Sequence, residues 1–550
     1  MTYYPFWHLE KKKVIIGKTK LCKFLMDMGF GNYTKSTMRT ANTFIIRIID
    51  GYVQFHNAKT VKRFLLDHVS NDQDLVNSEL EREKVLDELI GLNPKTLEVY
   101  LSSLITYSSK NHEELVSLDI LNDDKNTSYI PFKNGVVRIT KNDIDLLRKD
   151  ALEKEGKIWE TSVREHLIDV DVKDKNTNNY LKDFITYAMK KGVDPKRIGN
   201  DITRGTESEE HKKSMDAFET AFGYMLHSYI DPANSRVVVF IDSDASSRKA
   251  QGGNGKSLAM KAISYFKKTT EIEGKTFQNS GQAVRFNFSK VEPDTKFVCI
   301  SDAEDDFDMK KIFNLVTDKF QVEGKGTNSW DFDDDEKPKI GITTNHIVGG
   351  TDSSYRRRMF PLEFGDFWSR GVNVDITPSD IFGLTFFKDF SEKDWNTFYN
   401  YGFYCIQRYL REGLKQQNST DLQLKLRVKE IEGKNGDGVL VKWLQNWIDN
   451  ERVNGNFHQD GISVTDLWQL FAKDHPAHAS AEWNKDHFGN ALYRYATDVP
   501  ELDYNPQLAH KGKSKTDRRW RKGARGNQEE WVKITHIDDQ IFDYFSQLAA

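Results

Sequence analysis

The segment Arg236-Val-Val-Val-Phe-Ile-Asp242 is followed by Gly252-Gly-Asn-Gly-Lys-Ser257 and then by Leu258-Ala-Met-Lys-Ala-Ile263. The first segment is a β-branched apolar run, the second is a glycine-rich turn ending in lysine and a hydroxyl residue, and the third has helical apolar spacing. A strand, a loop and a helix in this order are typical of a phosphate-binding loop. The stretch therefore predicts an α/β domain that binds a nucleotide.

The residue types in this loop suit a phosphate anion. Glycines let backbone N–H groups approach phosphate oxygens without a Cβ in the way, and the following helix directs its positive end at the same anion. In such loops the lysine reaches the β- and γ-phosphates and the hydroxyl ligates Mg²⁺, roles that fall here to Lys256 and Ser257. The usual first glycine is replaced by Ala250. A plain surface turn is the alternative, and the flanking strand and helix favour the phosphate loop. The predicted nucleotide-binding residues are Gly252, Gly253, Asn254, Gly255, Lys256 and Ser257.

Composition sets wider limits on the protein. The chain has 550 residues, 38% hydrophobic and 29% charged, which is too long for one core and indicates roughly two to four domains. No apolar run is long enough to cross a bilayer and the first residues do not resemble a signal peptide, so the cytoplasm is the predicted compartment. The three cysteines have no paired spacing, which argues against a disulfide framework or a zinc site. With a formal net charge of −4, nucleic-acid binding would need local basic patches.

The first part of the chain mixes strand and helix patterns. Strands are indicated from Lys13 to Gly17 and from Phe44 to Ile49, and helices from Thr19 to Met28 and from Lys59 to Val69. We expect a small α/β module over residues 1–110, with no site chemistry of its own.

Residues 111–215 are predicted to form a helical accessory or collar region. Within it, Asn134-Gly135 between two apolar runs is a strong signal for a tight hairpin turn. The residues from Leu146 to Gly223 are charged, and their pattern is mainly helical. This region leads into the strand of the phosphate loop.

A second apolar strand pattern, Lys296-Phe-Val-Cys-Ile300, runs into the acidic segment Ser301-Asp-Ala-Glu-Asp-Asp306. Carboxylates that end a parallel strand lie beside the phosphate loop, where they hold Mg²⁺ and activate water. We assign the metal role to Asp302 and the catalytic base to Glu304. Because Ala303 separates the two acids, the roles could be shared with Asp305. The alternative is an acidic loop without a metal.

A third strand pattern, Pro338-Lys-Ile-Gly-Ile-Thr-Thr-Asn345, ends in a polar residue at the same edge. The Asn345 amide could hydrogen-bond the γ-phosphate or its attacking water, although an asparagine at a strand end is often a turn residue. Three arginines follow shortly after, and an arginine that crosses a subunit boundary can stabilise phosphoryl-transfer charge. We assign this role to Arg357 or Arg358, while noting that ordinary helix or strand surfaces also carry arginine runs.

Together these residues resemble superfamily 3 helicases, in the phage, plasmid and poxvirus-type primase-helicase branch. The shared features are the phosphate loop, Asp302 with Glu304, Thr344-Asn345, and Arg357-Arg358 followed by Met-Phe-Pro-Leu-Glu-Phe. The resemblance covers Ser128 to Phe364 well and the flanks poorly. It implies a P-loop ATPase of the AAA+ type with a parallel central sheet. It also implies a hexameric ring that binds ATP between subunits and translocates on one DNA strand, usually 3′ to 5′.

The family places a DNA-gripping hairpin between the acidic strand and the asparagine strand. Here that interval contains Phe320 to Phe332, with Gly324-Lys-Gly326 as the expected hairpin tip. Lys325 would face the pore and touch backbone phosphates, or it is an ordinary exposed turn lysine. Many relatives carry a primase at the amino end, but this chain has no acidic pair or zinc cluster there. We therefore predict no primer synthesis.

Beyond a linker at Gly433 to Gly438, the helix and strand patterns indicate a winged helix-turn-helix. Between its last helix and last strand lies the segment His510 to Arg525, in which nearly all charge is positive. Such a segment suits DNA phosphates, and Trp520 could stack on a base; the alternative is a solvated basic loop. The predicted DNA-binding residues here are Lys511, Lys513, Lys515, Arg518, Arg519, Trp520 and Arg521.

The sequence thus predicts four regions: an α/β module over 1–110, an accessory region over 111–215, an ATPase domain over 216–430 and a winged-helix domain over 431–550. The predicted function is ATP- and Mg²⁺-dependent unwinding of single-stranded and forked DNA by a homo-hexamer, in replication of a phage, plasmid or mobile element. The expected setting is a bacterial or phage-infected cell, with no membrane partner. Two alternatives stay open: a DNA-binding initiator or scaffold that uses ATP only to assemble, and a nucleotide-switched regulatory or defence ATPase.

Overall fold

A computed structural model provides the coordinates. It describes residues 5–11, 13–34, 43–71, 78–108, 115–148, 156–170, 179–198, 208–243, 252–277, 286–323, 329–332, 334, 336–348, 353–372, 376–417, 420–432, 438–453, 462–478, 484–498, 502–504, 519–522, 528–532 and 534–536. Among these residues no helix is both long and apolar enough to cross a membrane.

The chain divides into two compact units. The first comprises Met1–Ser243, Gln251–His346 and Arg356–Asn418, and the second comprises Asp244–Ala250, Ile347–Tyr355 and Ser419–Ala550. The first unit therefore contains the predicted α/β module, accessory region and most of the ATPase region. The four-region division proposed from the sequence stays a prediction.

The amino-terminal module is built on a six-stranded mixed sheet with helices on one face. Its strands are β1 (Trp7–Glu10), β2 (Lys13–Ile16), β3 (Phe30–Thr34), β4 (Thr43–Ile49), β5 (Tyr52–His56), β6 (Thr106–Ser108) and β7 (Val116–Ser117). Its helices are α1 (Lys18–Asp27), α2 (Ala58–Asn71), α3 (Glu79–Gly91) and α4 (Pro94–Leu101). The strand order is β11-β5-β4-β3-β6-β7, with β1-β2 as a separate pair and with β11 (Ile158–Trp159) supplied by the accessory region. The two strands and two helices predicted for this module are confirmed.

The accessory region differs from its prediction because its described first half is made of strands. These are β8 (Thr127–Phe132), β9 (Gly135–Thr140), β10 (Ile144–Leu147) and β11 (Ile158–Trp159). The hairpin at Asn134-Gly135 is confirmed, since β8 and β9 pair antiparallel with Phe132 opposite Gly135. The expectation of a mainly helical region was wrong over this part. The pairing of β11 with β5 joins strands far apart in sequence, which a local residue pattern does not indicate.

Helices return in the second half of the accessory region, as α5 (Tyr180–Ala188), α6 (Pro195–Ile198) and α7 (Glu209–Leu226). Apolar residues of α5 and α7 are fully buried in the core of the first unit, together with the β8–β9 hairpin. The accessory region therefore shares one continuous hydrophobic core with the phosphate-loop sheet.

The centre of the first unit is a five-stranded sheet in which every described pair is parallel. Its strands are β12 (Val237–Asp242), β13 (Thr269–Glu273), β14 (Phe297–Ala303), β17 (Lys339–Thr344) and β18 (Met359–Phe364), in the order β13-β14-β17-β12-β18. All residues of β12 and β17 are buried, as expected for strands covered on both faces. The prediction of an α/β fold with a parallel central sheet is confirmed.

The other elements of the first unit surround this sheet. They are α8 (Lys256–Ser264), α9 (Lys310–Thr317), the pair β15 (Gln321–Val322) and β16 (Trp330–Asp331), α10 (Ser353–Arg358), α11 (Phe367–Val372), α12 (Pro378–Phe382) and α13 (Glu392–Glu412). Helix α13 crosses α7 closely at Gly223, where a Cβ would lie 2.0 Å from the Cys405 carbonyl oxygen. There Arg408 donates hydrogen bonds to the buried Glu219 and to Asp216, tying the two helices together.

The described residues of the second unit form four α-helices and five short strands. These are α14 (Thr420–Glu432), α15 (Val439–Val453), α16 (Val464–Asp474), α17 (Lys485–Asp498), β19 (Ile462–Ser463), β20 (Leu502–Tyr504), β21 (Arg519–Lys522), β22 (Gln528–Val532) and β23 (Ile534–His536). The strands form a three-stranded antiparallel sheet, β19-β22-β21, and the pair β20-β23. Leu440, Leu467 and Leu492 are fully buried in a core separate from that of the first unit.

Candidate functional site

The glycine-rich loop lies between β12 and α8, as the sequence predicts. Gly252, Gly253 and Gly255 adopt φ values of +70°, +79° and +92°, a region that side chains other than glycine rarely occupy. At Gly255 a Cβ would also lie 2.5 Å from the ring of Phe184. Glycine is therefore required here by both backbone conformation and space. The loop delivers Lys256 as the first residue of α8, at the positive end of that helix.

Lys256 is only 4% exposed and is held by two acceptors. Its ammonium group forms an ion pair with Asp242, which ends β12, and donates a hydrogen bond of 2.9 Å to Oδ1 of Asn345, which follows β17. Burial lowers the pKa of Lys256 from its ordinary value, while the carboxylates of Asp242 and Asp302 oppose that shift. The lysine is thus fixed between the ends of two parallel strands.

Asp302 is placed by an irregularity in β14. The pairing of β14 with β17 shifts register between Ile300 and Ala303, and Asp302 has a φ of +52°. The Asp302 N–H donates to Oγ1 of Thr343 at 3.1 Å, which holds the bulged residue against β17. A bulge of this kind changes the direction of a side chain relative to a regular strand. It brings the Asp302 carboxylate to the cavity beside the loop.

A cavity of about 240 Å³ lies in front of the loop. It is lined by Phe184, Gly253, Gly255, Lys256, Ser257, Leu258, Asp302, Asn345, Trp368 and Pro378. The structure therefore brings six predicted site residues to one place, and four of them contribute an ammonium, a hydroxyl, a carboxylate and an amide. Phe184 and Trp368 form an apolar wall, their rings stacked 5.1 Å apart at 15°. Such a combination can bind an anionic phosphate chain next to a divalent cation.

The donor set fits a hard cation at this cavity. The Ser257 hydroxyl and the Asp302 carboxylate are oxygen ligands of the type that Mg²⁺ prefers, and Mg²⁺ often takes one or two protein ligands with phosphates and water. Among the residues that the structure describes, no group of three or more His, Cys, Asp or Glu side chains forms a self-sufficient metal site. A cation here would therefore depend on oxygens from a bound nucleotide.

Glu304 and Asn254 occupy different positions from those that the loop chemistry alone suggests. Glu304 is absent from the described lining of the cavity, and its carboxylate lies 3.6 Å from Nε2 of His346, with both side chains partly exposed. Asn254 is buried and accepts a hydrogen bond from the Ser369 N–H, which fastens the loop to α11. The role of catalytic base for Glu304 stays a prediction, as does its sharing with Asp305.

The two candidate arginines lie at the end of α10. Arg357 is exposed, and the Arg358 guanidinium lies 5.8 Å from the centre of the Phe313 ring. Neither belongs to the described lining of the cavity in the same chain. An arginine acting on a neighbouring subunit's nucleotide would have to point away from its own site, so this assignment also stays a prediction.

The predicted DNA-binding residues fall mostly outside the described part of the chain. The two strands expected to flank the predicted hairpin tip do pair, β15 antiparallel with β16, but the tip residue Lys325 lies outside the described residues. The same holds for Lys511, Lys513, Lys515 and Arg518. Arg519, Trp520 and Arg521 lie on β21, of which only the backbone is described.

Sequence analysis missed Asp242, the ion-pair partner of Lys256. Its signal was an acidic residue directly after five apolar residues, Val237 to Ile241, in the strand that precedes the loop. Sequence analysis also missed the aromatic wall, because Phe184 and Trp368 come from helices on opposite sides of the loop in sequence.

Comparison with known proteins gives little further information. No protein-family model and no curated protein matches the chain. Two similar solved structures are described as A form apo structures of the NrS-1 C-terminal region, the second limited to its residues 305–718. The first is 10% identical, with a TM-score of 0.38 over 93% of this chain and 99% of that chain. The second is 11% identical, with a TM-score of 0.36 over 86% of this chain and 90% of that chain. Similarity at this level does not establish a common fold.

Proposed function

We propose that the chain is an ATP-hydrolysing P-loop enzyme of the AAA+ type that unwinds DNA as a ring during replication of a mobile element. The observation that carries the proposal is the cavity at the carboxyl edge of the parallel sheet. There the Lys256 ammonium, the Ser257 hydroxyl, the Asp302 carboxylate and the Asn345 amide face one space. Ligands of open α/β sheets bind at this edge, at the mouth of the loop after the first strand.

The sheet order supports the AAA+ assignment. Numbered along the chain, β12, β13, β14, β17 and β18 are strands 1 to 5, and they lie in the order 5-1-4-3-2. This is the arrangement of AAA+ ATPases, in which the acidic strand and the asparagine strand lie on the same side of the phosphate-loop strand. The resemblance to superfamily 3 helicases rests on the same three strands.

The proposed mechanism assigns a task to each side chain of the site. Lys256 donates to the β- and γ-phosphates while Asp242 and Asn345 hold its orientation. Ser257 and Asp302 would hold Mg²⁺, which when bound neutralises charge on the phosphate oxygens. Glu304 takes the proton of the attacking water, and Asn345 donates its amide N–H groups to the γ-phosphate. Arg357 or Arg358 would arrive from the neighbouring subunit and stabilise the charge that develops on the leaving phosphates.

The second unit supports a DNA-binding role. Its described element order is two helices, a strand, two helices and then four strands, with β19 and β21 flanking β22 in one antiparallel sheet, which suits a winged helix. Helix α17 would be the helix that enters a DNA groove. Its exposed side includes Lys485, Asn490 and Arg494, and the last two are residue types that hydrogen-bond base edges. The strands β21 and β22 would border the basic wing.

The test is strand displacement on a forked DNA that carries either a 3′ or a 5′ single-stranded tail, with ATP hydrolysis measured in parallel. We expect unwinding that requires the 3′ tail. It should disappear in Lys256→Ala but persist in Lys261→Ala, because Lys261 is an exposed lysine on the same helix. Glu304→Gln should bind ATP and fail to hydrolyse it.

Other outcomes would lead to different conclusions. ATP hydrolysis and fork binding without strand separation would refute the helicase and favour an initiator that uses ATP to assemble. Unwinding that survives in Lys256→Ala would refute the assignment of the nucleotide site itself.

A further inference from the structure

Asp242 is a buried acid at the centre of the site. It is the last residue of β12, the strand that lies between β17 and β18, and its side chain is 1% exposed. One carboxylate oxygen accepts from Lys256, while the other, Oδ2, is buried and makes no hydrogen bond to any described residue. A carboxylate held in this way is costly unless a cation stays beside it. Lys256 is that cation.

The Asp242 contact sets the direction of the Lys256 ammonium. A lysine ammonium has three N–H donors, and Asp242 and Asn345 accept two of them in the described structure. Because Lys256 also lines the cavity, the third donor is left for a phosphate oxygen. Asp242 can therefore hold Lys256 in its productive direction before and after a nucleotide binds.

The same contact also changes the charge of the site. Lys256 contributes one positive charge, and Asp242 and Asp302 contribute two negative charges, so the three groups sum to −1. A metal-free nucleoside triphosphate would meet this negative site without a counter-charge. A divalent cation carried with the nucleotide, and ligated by Asp302 and Ser257, would reverse the balance.

We propose that Asp242 is a positioning residue that orients Lys256 and makes the site selective for the metal complex of a nucleoside triphosphate over the metal-free nucleotide. This inference rests on the proposed function, because it concerns the same nucleotide site. It goes further by assigning a role to Asp242 and by making the affinity for the nucleotide, as well as the chemistry, depend on a divalent cation.

Two substitutions separate the charge of Asp242 from its hydrogen bond. Asp242→Asn keeps an oxygen that can accept from Lys256 and removes the negative charge. Asp242→Ala removes both. A phosphate oxygen bound to Lys256 would lie about 5 Å from the Asp242 carboxylate, where one unit charge changes affinity on the order of a hundredfold.

The experiment is equilibrium binding of a fluorescent ATP analogue to the full chain, with Mg²⁺ and with a chelator. For the unmodified protein we expect tight binding with Mg²⁺ and at least tenfold weaker binding without it. Asp242→Asn should bind the metal-free analogue more tightly, so its affinities with and without Mg²⁺ should differ less than those of the unmodified protein. Asp242→Ala should bind the analogue yet hydrolyse ATP more slowly, because the ammonium has lost its orientation.

Asp294→Asn is the matched control. Asp294 is also buried and paired with a lysine, but it lies at the opposite edge of the same sheet, ahead of β14. This variant should keep the Mg²⁺ dependence of the unmodified protein. If Asp242→Asn and the unmodified protein show the same ratio of affinities with and without Mg²⁺, the role of Asp242 is refuted while the nucleotide site stands. If the unmodified protein binds no nucleotide under either condition, the proposed function fails.

Discussion

The buried ammonium of Lys267 predicts a contribution to the stability of the first unit that grows as the pH rises from 7 to 9. Lys267 is 6% exposed, and its Nζ donates to the Met225 carbonyl at 2.7 Å and to the Ser228 hydroxyl at 3.1 Å. Burial lowers its pKa to about 7, against the attraction of Asp123 and with added repulsion from Lys296. The folded protein therefore releases this proton well before the unfolded chain does.

The sign and size of the effect follow from proton linkage. Between pH 7 and pH 9 the unfolded chain keeps the Lys267 proton, because a free lysine loses it near pH 10.4. The unfolded state then binds more protons than the folded state, so the free energy of unfolding increases with pH. With a pKa of about 7 in the folded protein, Lys267 adds about 2 kcal/mol to the free energy of unfolding over this interval. Over the same interval Cys22, Cys299 and Cys405, whose pKa values burial raises, contribute in the opposite direction, so the contribution of Lys267 is obtained from the difference between variants.

The assay is urea unfolding of the unmodified protein, Lys267→Met and Lys268→Met at pH 7, 8 and 9. Between pH 7 and pH 9 the free energy of unfolding should change less favourably in Lys267→Met than in the unmodified protein, by about 2 kcal/mol. Lys268→Met should show the same change as the unmodified protein: burial lowers the pKa of Lys268, but its contacts with Asp294 and Glu292 outweigh burial and raise it. Equal pH dependence in the unmodified protein and Lys267→Met would refute the reasoning, whatever their absolute stabilities.

Two further predictions concern the loop and the core. Gly255→Ala should weaken nucleotide binding at least tenfold in a titration, because a Cβ there meets the Phe184 ring and φ is +92°. Gly383→Ala, also at positive φ but in open space, should cost about 1 kcal/mol of stability in urea unfolding and leave nucleotide binding unchanged. Arg408→Met should lower the free energy of unfolding by about 3–5 kcal/mol at pH 7, because it leaves the buried Glu219 carboxylate without its guanidinium. Unfolding at pH 5 should show a smaller loss, since burial raises the pKa of Glu219 and protonation removes the charge.

The central elements of the site could be predicted because their signals are local. The strand predicted from Arg236 to Asp242 is observed as Val237–Asp242, and the helix begins at Lys256, directly after the loop. A continuous apolar run predicts a buried parallel strand, and a glycine-rich loop ending in lysine predicts the turn that follows. These patterns are complete within about thirty residues and need no knowledge of distant pairing.

The parts that could not be predicted depend on long-range pairing. Asn345 reaches Lys256 only because β17 lies beside β12, and no local pattern fixes that neighbour. The direction of Asp302 depends on a register shift against β17, which a strand pattern followed by acids does not indicate. The same limit explains why β11, which pairs with β5, was predicted as part of a helical region.

The two edges of the parallel sheet show how one residue type acquires different roles. At the amino edge, Lys267 and Lys339 donate to the carbonyls of Met225 and Tyr224, among the last carbonyls of α7. A cation there donates to carbonyls that a helix end leaves without donors, and it complements the negative end of the helix dipole. At the carboxyl edge, Lys256 has acceptors on two sides and a cavity on the third. All three lysines are buried and their pKa values are lowered, so burial and pKa do not separate them. The three lysines differ in what lies in front of the ammonium group. Of the three, Lys256 is the one that lines the cavity at the loop.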